Sequence, residues 1–196
     1  MKYNSDIHHR RSIRLKGYDY SRAGAYFVTL CTQNRECLFG DIMNGKMRLN
    51  EVGIFVADSW EWLAEQYDHV SMDAYEVMPN HLHGIIVIAD GCRGGSRTAP
   101  TDQRKPIGRL IGAFKTVSTK RINELRHAPG TKLWQRNYWE HIIRDESELN
   151  RIREYIQNNP AQWEMDKLNV GKGGSRTAPT EIREPCTEYA TAAWMV

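Results

Sequence analysis

Along the chain the spacing of apolar residues switches between a period near two and a period near 3.6, which divides it into alternating strands and helices. Ala25–Gln33 (AYFVTLCTQ) is dense in aromatic and β-branched residues and predicts a strand. Residues 51–66 place Val52, Phe55, Val56, Trp60 and Leu63 on one face, so a helix is expected there. Ser71–Met78 and His81–Ala89 read as two strands joined at Pro79-Asn80, a hairpin. From Ile107 to Leu125 a basic amphipathic helix is expected, with Leu110, Ile111, Phe114 and Val117 on its buried side. Residues 132–144 look extended. A last helix then runs from Glu148 to about Asn158, opened by Asp145-Glu146-Ser147 and ended before Pro160. The order β-α-β-β-α-β-α is close to the split βαβ plan of a ferredoxin-like α+β sheet.

Composition adds that this pattern belongs to a chain able to build a core. The 196 residues are 40% hydrophobic with six Trp, which suits one globular domain and excludes a disordered chain. No apolar run reaches the length of a membrane span, and the basic N-terminus leads into no signal-peptide pattern, so no membrane association and a cytoplasmic location are expected. Cys31, Cys37, Cys92 and Cys186 form no CxxC pair, which argues against a zinc ribbon and leaves four thiols.

Charge is segregated. Residues 1–22 carry six Lys/Arg against two Asp/Glu, and residues 104–126 carry seven against one, although the whole chain is only +3. Two basic segments on an acidic body suit a phosphate-rich partner, since Lys and Arg gain affinity by releasing its counterions; two solvated surfaces would show the same pattern.

The octapeptide GGSRTAPT occurs at Gly94–Thr101 and again at Gly173–Thr180. Small, polar and Pro-bearing, both copies belong to loops or linkers rather than to a core. The residues Cys92–Thr101 also permit codons that read identically on both DNA strands, as a translated inverted repeat would. The resulting division is a basic arm over 1–22, a central domain over 23–163 with an insert at 91–105, and a tail over 164–196, insert and tail both expected to be flexible.

Chemistry concentrates in two places. In Met78-Pro79-Asn80-His81-Leu82-His83, residues two apart in a strand share a face, so the imidazoles of His81 and His83 stand together. Such a pair can chelate a divalent cation; it equally suits two hydrogen-bonded sheet histidines. On the last helix Arg151, Tyr155 and Asn159 recur four apart, which brings a guanidinium, a phenol and an amide to one face. A half-buried helix tyrosine followed by a C-terminal asparagine gives the same spacing.

MPNHLHGIIVI, together with YIQNNPAQW, RRSIRLKGYDYSRAGAYFVTLCTQNR and LWQRNYWEHIIRDESELNRIREYI, resembles the REP-associated tyrosine transposases, a branch of the single-tyrosine HUH transposases. The resemblance spans roughly residues 8–163 and leaves the tail unmatched. It implies a ferredoxin-like, HUH endonuclease-type fold, Mg²⁺ or Mn²⁺ held by His81, His83 and Asn159, and Tyr155 as nucleophile. The implied activity is nicking and rejoining of single-stranded DNA at palindromic hairpin repeats through a 5′-phosphotyrosine link, by a monomer or a homodimer associated with the nucleoid. Arg10, Arg11, Arg14 and Lys16 would then grip a hairpin stem. Lys115, Lys120 and Arg121 would follow the backbone, Arg151 would assist the tyrosine, and Trp134, Tyr138 and Trp139 are candidate platforms for unpaired bases. His141 is a further candidate to orient a phosphate. A catalytically silent protein that binds hairpin DNA is the alternative.

Overall fold

The computed structural model describes residues 14–15, 17–90 and 104–169. In chain order the strands are β1 (Gly24–Cys31), β2 (Gly40–Met43), β3 (Lys46–Leu49), β4 (Val70–Met78), β5 (His81–Ile88) and β6 (Trp139–Ile143). The helices are α1 (Glu51–Gln66), α2 (Ile107–Leu125) and α3 (Glu146–Asn158). Four strands form an antiparallel sheet in the order β4-β5-β1-β6, with β1 between β5 and β6. This is the interleaved arrangement expected of the split βαβ plan. Both copies of GGSRTAPT, and Arg10, Arg11 and Lys16, lie outside the described residues.

The sheet is covered on both faces. Tyr26, Val28 and Leu30 of β1 and Leu82, Ile86 and Ile88 of β5 pack against Val56, Trp60 and Leu63 of α1 and Leu110, Ile111 and Phe114 of α2. Each fully buried apolar side chain of this kind contributes about 1.5–3 kcal/mol relative to exposure. Gly84 faces the same side, and a Cβ there would stand 2.5 Å from a ring carbon of Trp60. Only glycine lets that indole lie against the strand. Phe27, Ile85, Trp139 and Ile143 form the opposite face, closed by Ile156 of α3 with Leu149 and Ile152 beside it.

The position of α3 is fixed by polar links as well as by its narrow apolar stripe. Asp145 caps it by accepting from Glu148 N, and Glu148 Oε2 accepts from Arg144 N, which satisfies donors at the helix entrance. Farther along, Arg153 clamps Asp73 with two hydrogen bonds of 2.9 and 2.6 Å, where the β4–β5 register shifts between Met72 and Tyr75.

Four details differ from the sequence reading. The β2–β3 hairpin was not expected, because its short strands alternate only weakly in burial. Of residues 132–144, only Trp139–Ile143 pairs as a strand, and Trp134 makes a single bridge to Thr32. The packed domain also continues beyond 163: a 3₁₀ helix over Pro160–Met165 leads to Leu168, which is buried and whose carbonyl accepts from Asn80 Nδ2. The described residues of the basic arm pack too. Tyr18 and Tyr20 lie against the core, Tyr20 O accepts the first helical N–H of α2, and Arg14 reaches Glu140 at 3.3 Å and Tyr138 Oη at 2.6 Å.

Candidate active site

The two-residue turn Pro79-Asn80 delivers β5 to the sheet with His81 opposite Cys31 and His83 opposite Thr29. Both histidines therefore face α3 rather than α1 and α2, and both are buried. Their Nε2 atoms stand 3.0 Å apart. Two ligands held ~2.1 Å from an octahedral ion are ~3.0 Å from one another, so this spacing is already that of a chelating pair.

The outer nitrogens decide the tautomer. The amide nitrogen of Asn80 is committed to the carbonyls of Arg35 and Leu168 at 3.1 and 2.8 Å, so its oxygen must face His81 Nδ1, 2.8 Å away. Nδ1–H donates to it, and the Nε2 lone pair of His81 points inward. His83 Nδ1 lies 2.8 Å from Thr29 Oγ1, which can accept in the same way. Burial holds His81 well below the ordinary histidine pKa, helped by the positive character of His83 and Arg35; the Asn159 carboxamide opposes this. Burial alone brings His83 down to about 3. Both rings are thus neutral at physiological pH, the form that binds a cation.

Asp166 supplies a carboxylate. Its Oδ2 lies 3.7 Å from His81 Nε2 and is buried without a hydrogen bond among the described residues, while Leu168 N anchors Asp166 Oδ1 at 2.7 Å. Burial raises this carboxyl above its usual pKa. His81, His83 and Asp166 offer ligand atoms all within 4.8 Å of one another. Asn159, at the end of α3, is buried, and its Oδ1 likewise lacks a hydrogen bond. Two imidazole nitrogens, one carboxylate and a nearby amide oxygen fit a divalent cation, and an orphaned buried carboxylate oxygen is what such an ion would satisfy. Cys31 adds no thiolate, because burial pushes its thiol up to about 11.

Tyr155 completes the cluster. Its hydroxyl lies 3.4 Å from His83 Nε2, and the ring meets His83 and Phe27 edge-on, with centroids 5.3 and 6.1 Å away. Asp166, Asn80, Thr29 and Arg35 were missed in the sequence reading. Only Asn80 carried a local signal, its place next to His81 in the turn.

Other expected site residues are distributed unevenly. Arg151 is exposed on α3, and Lys120 lies 3.9 Å from Glu124 on the surface of α2, which also carries Arg121. Lys115 departs from expectation. Half-way along α2 its ammonium turns inward to the carbonyls of Gln135 and Asn137 at 2.8 and 3.0 Å, and burial lowers its pKa to about 8. Trp134 and Trp139 are core residues rather than platforms: Trp134 packs on Phe39 and Phe114, and Trp139 on Phe27. His141 is held 2.6 Å from Glu148 and stacks on Trp139.

The antiparallel α+β sheet, with a histidine pair on one strand and a tyrosine helix across it, matches the fold of a solved transposase. The chain resembles the REP-associated tyrosine transposases. A Haemophilus influenzae protein described as uncharacterized is 45% identical over 178 residues, covering 86% of this chain and 98% of that one. A second protein of the same organism, provisionally described as a REP-associated tyrosine transposase, is 24% identical over 152 residues, covering 74% of each chain. Among solved structures, a REP-associated tyrosine transposase bound to a REP hairpin aligns with a TM-score of 0.55 at 17% identity, over 81% of this chain and 77% of that one, a likeness of fold. No family model matches the chain. Among the described residues no helix is long and apolar enough to cross a membrane.

Proposed function

We propose that the protein is a metal-dependent tyrosine DNA transesterase that nicks and rejoins single-stranded DNA beside palindromic hairpins. The observation that carries this reading is the Tyr155 hydroxyl, 3.4 Å from one member of a neutral, buried histidine pair that shares its site with an orphaned carboxylate. The relative solved with a REP hairpin supports the choice of DNA hairpins as substrate.

His81, His83 and Asp166 would hold Mg²⁺ or Mn²⁺, with Asn159 at the margin. A bound divalent ion polarises a phosphodiester and offsets charge on its oxygens, a contribution of several kcal/mol to the transition state. Asn80 and Thr29 orient the two rings. Phe27 and His83 hold the Tyr155 ring, and the Arg153–Asp73 clamp fixes its helix. The phenolic oxygen attacks phosphorus, the P–O bond to the 3′ oxygen breaks, and the phenolic proton leaves as the 3′-hydroxyl forms. The phosphotyrosine retains a phosphodiester, so attack by another 3′-hydroxyl regenerates Tyr155 and joins DNA without a nucleotide cofactor. All of these residues come from one chain, so a second copy is not needed to assemble the site. Lys120, Arg121 and Arg151, with the basic arm, are the proposed contacts to DNA phosphates.

The test is incubation with end-labelled hairpin DNA carrying a single-stranded extension, with Mn²⁺, followed by a denaturing gel. A protein–DNA adduct that disappears in Tyr155→Phe and in His81→Ala is expected. Cleavage without an adduct would make the protein a hydrolytic nuclease. Binding without cleavage would leave a silent hairpin-binding protein.

A further inference from the structure

Beside the histidine pair the backbone adopts a conformation that side chains with a Cβ avoid. In the 3₁₀ turn Gln33–Arg35, Asn34 and Arg35 have φ of 58° and 56°, and neither is glycine. Two successive left-handed residues need outside support. Asn80 provides it, donating from Nδ2 to Arg35 O at 3.1 Å and accepting at its backbone carbonyl from Thr32 N at 2.9 Å. The residue that sets the tautomer of His81 therefore also holds Arg35 in place. Backbone strain maintained in this way next to a reactive cluster points to use of the side chain it positions.

That side chain is half-buried. It lines a narrow open cleft with Thr29, Cys31, Asn137, Trp139 and Leu168. The cleft adjoins the candidate metal site directly, since Thr29 bonds to His83 and Leu168 to Asn80. Among the described residues the Arg35 guanidinium makes no hydrogen bond or ion pair, although its charge is felt at both His81 and Asp166. A cation in such a position suits an anion that arrives from outside. A guanidinium also matches the paired non-bridging oxygens of a phosphodiester better than an ammonium would.

We propose that Arg35 is a substrate-binding residue which grips the non-bridging oxygens of a DNA phosphodiester in the cleft between β1 and the segment leading into β6. The assignment rests on the reading of the site as a DNA transesterase. It adds a contact on the side of the histidine pair marked by Thr29, where the other nearby cation, Lys115, is held by the carbonyls of Gln135 and Asn137.

The experiment uses full-length Tyr155→Phe protein, so that binding is read without cleavage, and hairpin DNA in which single neutral methylphosphonates replace each phosphate of the extension in turn. Arg35→Gly is the informative variant, because glycine accepts the left-handed backbone and keeps the carbonyl that Asn80 binds. Its thermal midpoint is expected to equal or exceed that of the parent, with Mn²⁺ affinity unchanged and DNA affinity reduced about tenfold or more. At one methylphosphonate position the Arg35 protein should lose a similar factor and the Arg35→Gly protein nothing further, with Arg35→Lys intermediate. Equal DNA affinity with and without Arg35, or a loss that is the same at every position, overturns the assignment. A Tyr155→Phe protein with no affinity for hairpin DNA would remove the functional reading and this contact together; adduct formation unimpaired by Arg35→Gly in protein that keeps Tyr155 would remove this contact alone.

Discussion

Asn80 accepts a hydrogen bond from His81 Nδ1 at 2.8 Å while its own amide donates to the carbonyls of Arg35 and Leu168. One buried side chain thus orients a candidate metal ligand and ties together the turn, the strained 3₁₀ segment and the end of the described chain. These roles separate by substitution. Asn80→Ala should lower Mn²⁺ affinity about 10–100-fold, as loss of an orienting partner does, and should destabilise the fold as well. Asn80→Asp keeps the acceptor and loses both donors, so it should lose stability while holding Mn²⁺ better than Asn80→Ala. Titration calorimetry and denaturant unfolding read the two effects independently.

The donor set also predicts a preference among ions. Two imidazoles favour Mn²⁺ over Mg²⁺, which binds best to oxygen ligands. Calorimetry should give an Mn²⁺ affinity at least about tenfold above that for Mg²⁺. Asp166→Asn should weaken both ions and His81→Ala should abolish binding. Equal affinities for the two ions would contradict the assignment of both imidazoles as ligands.

The buried histidines make stability depend on pH with a definite sign. In the folded chain both are held neutral, His83 down to about 3, whereas in the unfolded chain they protonate near the ordinary histidine value. The unfolded state binds more protons below about pH 6.5, so stability present above that pH is lost as pH falls toward the folded values. Each histidine steepens the dependence by up to ~1.4 kcal/mol per pH unit. With a chelator present, the unfolding midpoint should fall between pH 6.5 and 4, and His83→Gln should flatten the slope. A wild-type midpoint constant over that range would show that the rings are not held neutral.

Gly84 sits one residue beyond the histidine pair, with Trp60 where a side chain would go. Gly84→Ala should destabilise the protein by about 1–3 kcal/mol through overpacking. Adding Trp60→Phe should restore part of the loss, which denaturant unfolding of the single and double variants would show.

The candidate chemistry was legible in the sequence to the extent that it follows from local periodicity. His81 and His83 share a strand face because strand side chains alternate, and Tyr155 and Asn159 share a helix face because they lie four apart. The helices α1 and α2 and the strands β1, β4 and β5 follow from dense apolar patterns in the same way. The β2–β3 hairpin was not legible, because its positions are largely exposed and carry little hydrophobic contrast. Trp134 and Trp139 could not be placed from sequence, since an aromatic residue next to a basic segment reads alike whether it faces the core or the solvent.

By itself, then, the amino-acid order determined which residues stand side by side within an element. Tertiary structure alone decided which elements meet: that the histidine face is the one α3 covers, that Asp166 returns to it, and that Asn80 joins Leu168, 88 positions away. The physical reason is that periodicity encodes the direction of a side chain relative to its neighbours in the chain. The partner of a buried polar atom is set by the packing of distant segments, and no local spacing records it.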